Sequence, residues 1–137
     1  MANTTAAKTS VRDLMHDRFC RADGVMTVDQ AIQLLRDEDA YALLVDKRDP
    51  DDEYGLVSMA DISAKILAVD RAPERVNLFE IMTKPALCVR AGMRPAYCAR
   101  LLHRFRLGLA LVQDADGEVI GLIDHRALVM GLAHPEH

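Results

Sequence analysis

The chain repeats itself, and the repeat limits what it can fold into. Val11-Arg12-Asp13-Leu14-Met15 matches Leu78-Phe79-Glu80-Ile81-Met82, with Met15 falling on Met82. At the same separation of 67 residues, Met26 falls on Met93, Val28 on Pro95, Leu34-Leu35 on Leu101-Leu102, and Leu44-Val45 on Leu111-Val112. After the loop that follows, the separation shortens by one and Gly55-Leu56 falls on Gly121-Leu122. Self-similarity at a fixed period marks supersecondary units that bury their apolar faces on one another. A unit of about 60 residues exposes a sheet face that it cannot bury alone, so two such units pack together.

Local pattern supplies the elements. Thr27-Val28-Asp29-Gln30 fits a capping box, and Val28, Ala31, Ile32 and Leu35 form one apolar helix face. Cys98, Leu101, Leu102 and Phe105 repeat that spacing. Val11 to Met15 reads as a short amphipathic turn and Phe19 to Ala22 as a short strand. Ala42 to Val45 is an unbroken apolar run, predicting a strand buried on both faces. Asp46 to Glu53 is charged and holds Pro50, so an exposed loop is expected; its counterpart, Asp114 to Gly117, is a shorter turn. Gly55 to Val57 predicts a strand running directly into a helix that carries Ile62, Ile66 and Val69.

The expected fold class is α/β (α+β): tandem β-α-β-β-α repeats packed sheet to sheet about a pseudo-two-fold axis. The expected divisions are a disordered N-terminal tail (1–10), a first repeat (11–70), a polar linker (71–76) and a second repeat (77–133). Clefts between packed units are where small ligands bind.

Ser58 and Asp61 stand where the strand becomes a helix. A helix N-terminus offers unpaired N–H donors and partial positive charge, which suit phosphates and polyols. The plain alternative is that Ser58 is a helix N-cap; the repeat context favours the ligand reading. In the second repeat Asp124 and Ala127 take these positions. Arg126 stands beside them, read either as a solvated surface charge or as a phosphate partner.

Other chemistries find little support. The net charge of −4 comes without a basic stripe, which argues against a nucleic-acid partner. No apolar run approaches the roughly 18 residues of a membrane span, and the N-terminus lacks a signal peptide's apolar segment. Cys20, Cys88 and Cys98 lack metal-ligand spacing and read as small hydrophobes in a reducing cytoplasm. His16, His103, His125, His134 and His137 are scattered. There is no nucleophile-base pair, P-loop or metal motif, so no enzyme is expected.

The doubled pattern resembles the CBS-domain pair, or Bateman module. It has an opening segment ending in Leu-Met or Ile-Met, an apolar helix, an apolar strand followed by acidic residues, and Gly-Leu-Val-Ser-Met-Ala-Asp. The resemblance covers about Val11 to Ala133. It implies a regulatory module binding AMP, ADP, ATP or S-adenosylmethionine between the repeats, with Ser58 and Asp61 on the ribose hydroxyls. Adenine is then expected beside Cys20, Arg21 and Ala22 and the backbone of Ala42, Leu43 and Leu44, with phosphates directed toward Arg126. Asp124 and Ala127 depart from the family's pattern, which puts a second ribose site in doubt. The resemblance further implies a homodimer, for which Ile66, Leu67, Leu128 and Leu132 are candidate interface residues, and an unknown, separate regulated protein. No nucleic acid or membrane is expected as partner. The alternative is a structural or protein-interaction module that has lost ligand binding.

Overall fold

The computed structural model describes residues 9–133. The expected tail falls mostly outside them, as do His134 and His137. Ser10 is already part of the fold, its N–H donating to Asp13 Oδ2 at 2.9 Å ahead of helix α1 (Val11–Leu14).

The first sheet holds β1 (Phe19–Ala22), β2 (Ala42–Val45) and β3 (Gly55–Ser58), with β1 and β2 parallel and β2 and β3 antiparallel. Helix α2 (Val28–Glu38) joins β1 to β2. It begins at the expected capping box: the Gln30 N–H donates to Thr27 Oγ1 at 3.2 Å, and the Thr27 N–H donates to Gln30 Oε1 at 3.1 Å. Helix α3 (Met59–Ile62) follows β3 without a break and widens into a π-helical turn, Ser63–Leu67. The second sheet repeats the order and senses with β4 (Cys88–Arg90), β5 (Leu109–Gln113) and β6 (Val119–Asp124). Helix α4 (Pro95–Phe105) joins β4 to β5, with proline in its first turn, and α5 (His125–Leu132) follows β6.

Each sheet has its own core. In the first, Val28, Ala31 and Leu35 of α2 pack with Leu43, Val45, Val57 and Ile66. In the second, Cys98 and Leu102 of α4 pack with Val89, Ala110, Val112, Ile123 and Leu128. β2 is buried along its whole length, as its apolar run predicts.

The compact units are offset from the sequence repeats. One comprises residues 18–86; the other combines residues 87–133 with residues 9–17. Each repeat's opening segment therefore docks within the unit built on the other repeat's sheet, and it does so in the same register both times. The Val11 N–H donates to Met93 O and the Leu78 N–H to Met26 O, both at 2.9 Å. His16 exchanges backbone hydrogen bonds with Leu122, as Thr83 does with Leu56. The opening segments supply core residues to these units: Val11 to one, Leu78 and Ile81 to the other.

Three expectations need correction. Val69 lies beyond the helix and is exposed, because the Ala68 N–H reaches back five residues to Ser63 O; the wide turn uses up a residue and breaks the 3.6 period. Ile66 and Leu128 are buried within their own units, whereas Leu67, the next position round the turn from Ile66, and Leu132, the last residue of α5, are exposed. Asp52 is not a loosely solvated loop charge. Its side chain keeps only 10% of its exposure and bonds to Lys84 Nζ at 2.7 Å and to the Arg48 N–H at 2.9 Å.

Candidate functional site

Ser58 is both the last residue of β3 and the N-cap of α3. Its Oγ accepts the Asp61 N–H at 3.1 Å, and Asp61 Oδ2 accepts the Ser58 N–H at 2.9 Å and the Ser58 hydroxyl at 3.1 Å. The N-cap reading is therefore realised, as a reciprocal box. Lys65, one helical turn on, places Nζ 3.3 Å from Asp61 Oδ1 and donates to Ile81 O at 2.8 Å.

A tally of donors and acceptors shows what remains. A carboxylate offers about four acceptor positions and a hydroxyl two plus one donor. Oδ2 is filled from Ser58, while Oδ1 is ion-paired with Lys65 and Oγ accepts one bond from the backbone. One acceptor position stays open on Oδ1 and one on Oγ, on side chains already bonded to each other. Two neighbouring acceptors held on a half-buried helix start match two neighbouring hydroxyls of a ligand.

The strand register sorts the remaining candidates. Ser58 lies opposite Ala42, which pairs in turn with Phe19, so these three form one row across the sheet. Side chains alternate faces along a strand. Arg21 and Leu44 share a face with Ala42 and Ser58, two rows away. Cys20, Ala22 and Leu43 point instead into the core under α2, so only their backbone remains for a ligand. Arg21 is paired with Asp46. Leu44 and Ala42 are fully buried. Arg126 is exposed on the first turn of α5, in the other unit. Sequence reasoning did not single out Lys65 or Phe19; the Asp61–Lys65 spacing of i, i+4 is the signal that identifies Lys65.

The corresponding position in the second repeat is chemically different. Asp124 caps α5 through Oδ1, which accepts the Ala127 N–H at 2.8 Å, and its Oδ2 lies 3.0 Å from His16 Nε2. Ala127 adds no polar side-chain atom. His16 is the counterpart of Thr83 and arrives on the exchanged opening segment.

Among the described residues there is no cluster of side chains suited to a metal ion and no disulfide. Burial pushes the Cys98 thiol up, and burial followed by the charge of Glu38 pushes up that of Cys20. The Lys84 ammonium, then the Arg48 and Glu53 backbone N–H groups, hold the Asp52 carboxyl far below the usual carboxylate range. An apolar groove of about 430 Å³ between α2 and α3 is lined by Ile32, Leu35, Met59, Ile62 and Leu67, and includes neither Ser58 nor Asp61. No helix among the described residues is long and apolar enough to cross a membrane.

Residues 78–134 match the CBS domain family. No curated protein matches by sequence. Two structures of a hexameric CBS-CP12 protein from bloom-forming cyanobacteria superpose with a TM-score of 0.84 at 27% identity, covering 88% of this chain. This chain spans 66% and 69% of those two, about two thirds of their length. A CBS domain protein of Pyrobaculum aerophilum complexed with AMP has a TM-score of 0.74 at 16% identity, covering 91% of this chain and 98% of the other. A CBS domain pair in complex with 5′-methylthioadenosine and S-adenosyl-L-methionine has a TM-score of 0.72 at 20% identity, covering 89% and 98%.

Proposed function

We propose that this chain, whose residues 78–134 match the CBS domain and whose two sheets repeat one topology, is a CBS-domain pair acting as a regulatory module which binds an adenosine-containing ligand through Ser58 and Asp61 and signals to a separate protein. The observation that carries this reading is the pair of open acceptor positions on Asp61 Oδ1 and Ser58 Oγ, which suit the vicinal hydroxyls of a ribose. Hydrogen bonds to an ionised carboxylate are about twice as strong as neutral ones. The proposed ligand class is AMP, ADP, ATP or S-adenosylmethionine; in its support, two neighbours of the same fold hold AMP and 5′-methylthioadenosine with S-adenosyl-L-methionine. On the sheet face of Ser58, Ala42 and Leu44 are fully buried, and the half-buried Phe19 is proposed as the side chain that meets a base. Arg126 is proposed as a phosphate partner. The role is regulatory and not catalytic.

We further infer that two copies of the chain associate, covering the exposed Leu67 and Leu132, which are 74% and 86% accessible. Light scattering at micromolar concentration tests this, and a monomeric mass would contradict it. Equilibrium binding of AMP, ATP and S-adenosylmethionine tests the ligand reading. Saturable binding of one of them is expected; absence of binding by all three would leave a protein-interaction module.

A further inference from the structure

The Lys65 ammonium forms an ion pair with Asp61, at 3.3 Å, and donates a hydrogen bond to the main-chain oxygen of Ile81, at 2.8 Å. Ile81 is 1% exposed and belongs to the opening segment of the second repeat, which crosses into this unit and forms part of its core. A single side chain therefore ties the candidate ribose carboxylate to the segment that leads on toward β4.

The other repeat serves as an internal control. Asp61 corresponds to Ala127 and Lys65 to Gly131, so the carboxylate and the ammonium are absent together. Gly131 approaches Leu14, the counterpart of Ile81, so closely that an added Cβ would lie 2.7 Å from Leu14 Cδ1. There the helix meets the exchanged segment through an apolar contact, without a hydrogen-bonded link. The helical geometry differs in parallel. Lys65 sits in the π-helical turn Ser63–Leu67, whereas α5 is α-helical throughout its length. Single π turns inside α-helices occur often at functional sites.

We propose that Lys65 is the positioning residue of the adenosine site. It orients Asp61 Oδ1, and it transmits occupation of Asp61 to the Leu78–Met82 segment through Ile81 O. This rests on the ligand reading above. A ligand hydroxyl bound to Oδ1 fixes the carboxylate, and the carboxylate in turn fixes the ammonium that holds Ile81.

The test compares the parent with Lys65→Met, which keeps the apolar stem, and Lys65→Arg, which keeps a charged donor. Titration with AMP, ATP and S-adenosylmethionine is combined with amide exchange across residues 78–83, with and without saturating ligand. The account expects binding to weaken roughly 10-fold in Lys65→Met, as Asp61 Oδ1 loses the ammonium that orients it, and to recover to within about 3-fold in Lys65→Arg, which restores a cation there. Ligand should slow exchange across 78–83 in the parent and in Lys65→Arg but not in Lys65→Met. A parent that binds while Lys65→Met binds equally well, or shows the same exchange response, overturns this inference alone. Equal loss of binding in Lys65→Met and Lys65→Arg would show that the charge at this position does not hold Asp61, and would overturn the positioning role. A parent that binds none of the three compounds overturns the ligand reading, and the Lys65 role falls with it.

Discussion

Met82 Sδ lies 2.6 Å from where a Cβ on Gly55 would stand, and Met15 Sδ stands at the same 2.6 Å from that point on Gly121. The two contacts are repeat equivalents, and each joins an exchanged opening segment to a strand of the other repeat. They explain why the opening segments end in Met and why the strands begin their motif with Gly. A β-strand interior disfavours glycine unless another group must approach the backbone closely, and here a thioether does.

Adding a methyl group at these glycines should destabilise the fold, and by unequal amounts. At Gly55 the nearest obstacle is the flexible Met82 side chain, which can move, with Val45 Cβ next at 3.3 Å. At Gly121 the backbone oxygen of His16 also stands 3.2 Å away and cannot. Gly121→Ala should cost about 1–3 kcal/mol and Gly55→Ala less, as in other overpacked cores. Gly108→Ala, with open space around it, serves as the control. Urea melts of the three variants measure the order.

Arg106 ends α4 at φ 56°, as Asp39 ends α2 at φ 52°. The left-handed region costs a non-glycine residue roughly 1–2 kcal/mol, and glycine returns roughly 0.5–1 kcal/mol of that as lost chain entropy. Arg106→Gly should therefore raise stability by up to about 1 kcal/mol, read as a higher urea midpoint with unchanged slope.

Asp52 predicts an acid-side dependence of stability. Its native carboxyl titrates far below the ordinary value because Lys84 and backbone N–H groups hold the ionised form. The unfolded state then binds the proton first as pH falls, so stability decreases toward acid. The contribution is complete above the unfolded value of about 3.9 and is lost as pH falls from there through the native value. The stability difference between the parent and Asp52→Asn should be constant from pH 6 to 8 and shrink below about pH 4. A difference that varied between pH 6 and 8 would contradict this assignment.

Cys20 and Cys98 are buried, and their thiols are pushed toward the unreactive protonated form. The thiolate is the reactive species. Aromatic disulfide reagents should label these two residues only once denaturant unfolds the chain, which quantitative thiol release can follow.

Much of this was legible in the residues, for reasons specific to each element. The box at Thr27 and Gln30, the i, i+3, i+4, i+7 face of α2 and the apolar run at β2 are local patterns with local causes, and the structure realises each. The repeat was equally visible, because both copies kept their apolar positions. The exchange of opening segments was not. Met15 and Met82 look like ordinary core residues until the strands they cover are known, since the pattern carries no mark of which sheet a segment joins. The π turn was hidden because Ile62, Ile66 and Val69 fit an α-helical period until a hydrogen bond skips a residue. At the candidate site, Ser58 and Asp61 were identified by position, but Cys20, Ala22 and Leu43 were named with their neighbours before strand alternation had sorted the faces. Asp61–Lys65 was present as an i, i+4 pair; what it touches beyond Asp61 depends on the exchanged segment.

The most direct measurement is a calorimetric titration of the parent and of Asp61→Asn with AMP, repeated with ATP and S-adenosylmethionine. Asparagine keeps an acceptor for the Ser58 N–H, whereas Asp61→Ala would also remove half of the capping box, worth about 0.5–2 kcal/mol of stability. The account predicts one ligand per chain in the parent, because Ala127 leaves the second repeat without a carboxylate at the position of Asp61. It predicts affinity about 10- to 150-fold lower in Asp61→Asn, the loss of roughly 1.5–3 kcal/mol from a hydrogen bond to a charged group. No saturable binding of any of the three compounds, or equal affinity in parent and variant, would contradict it.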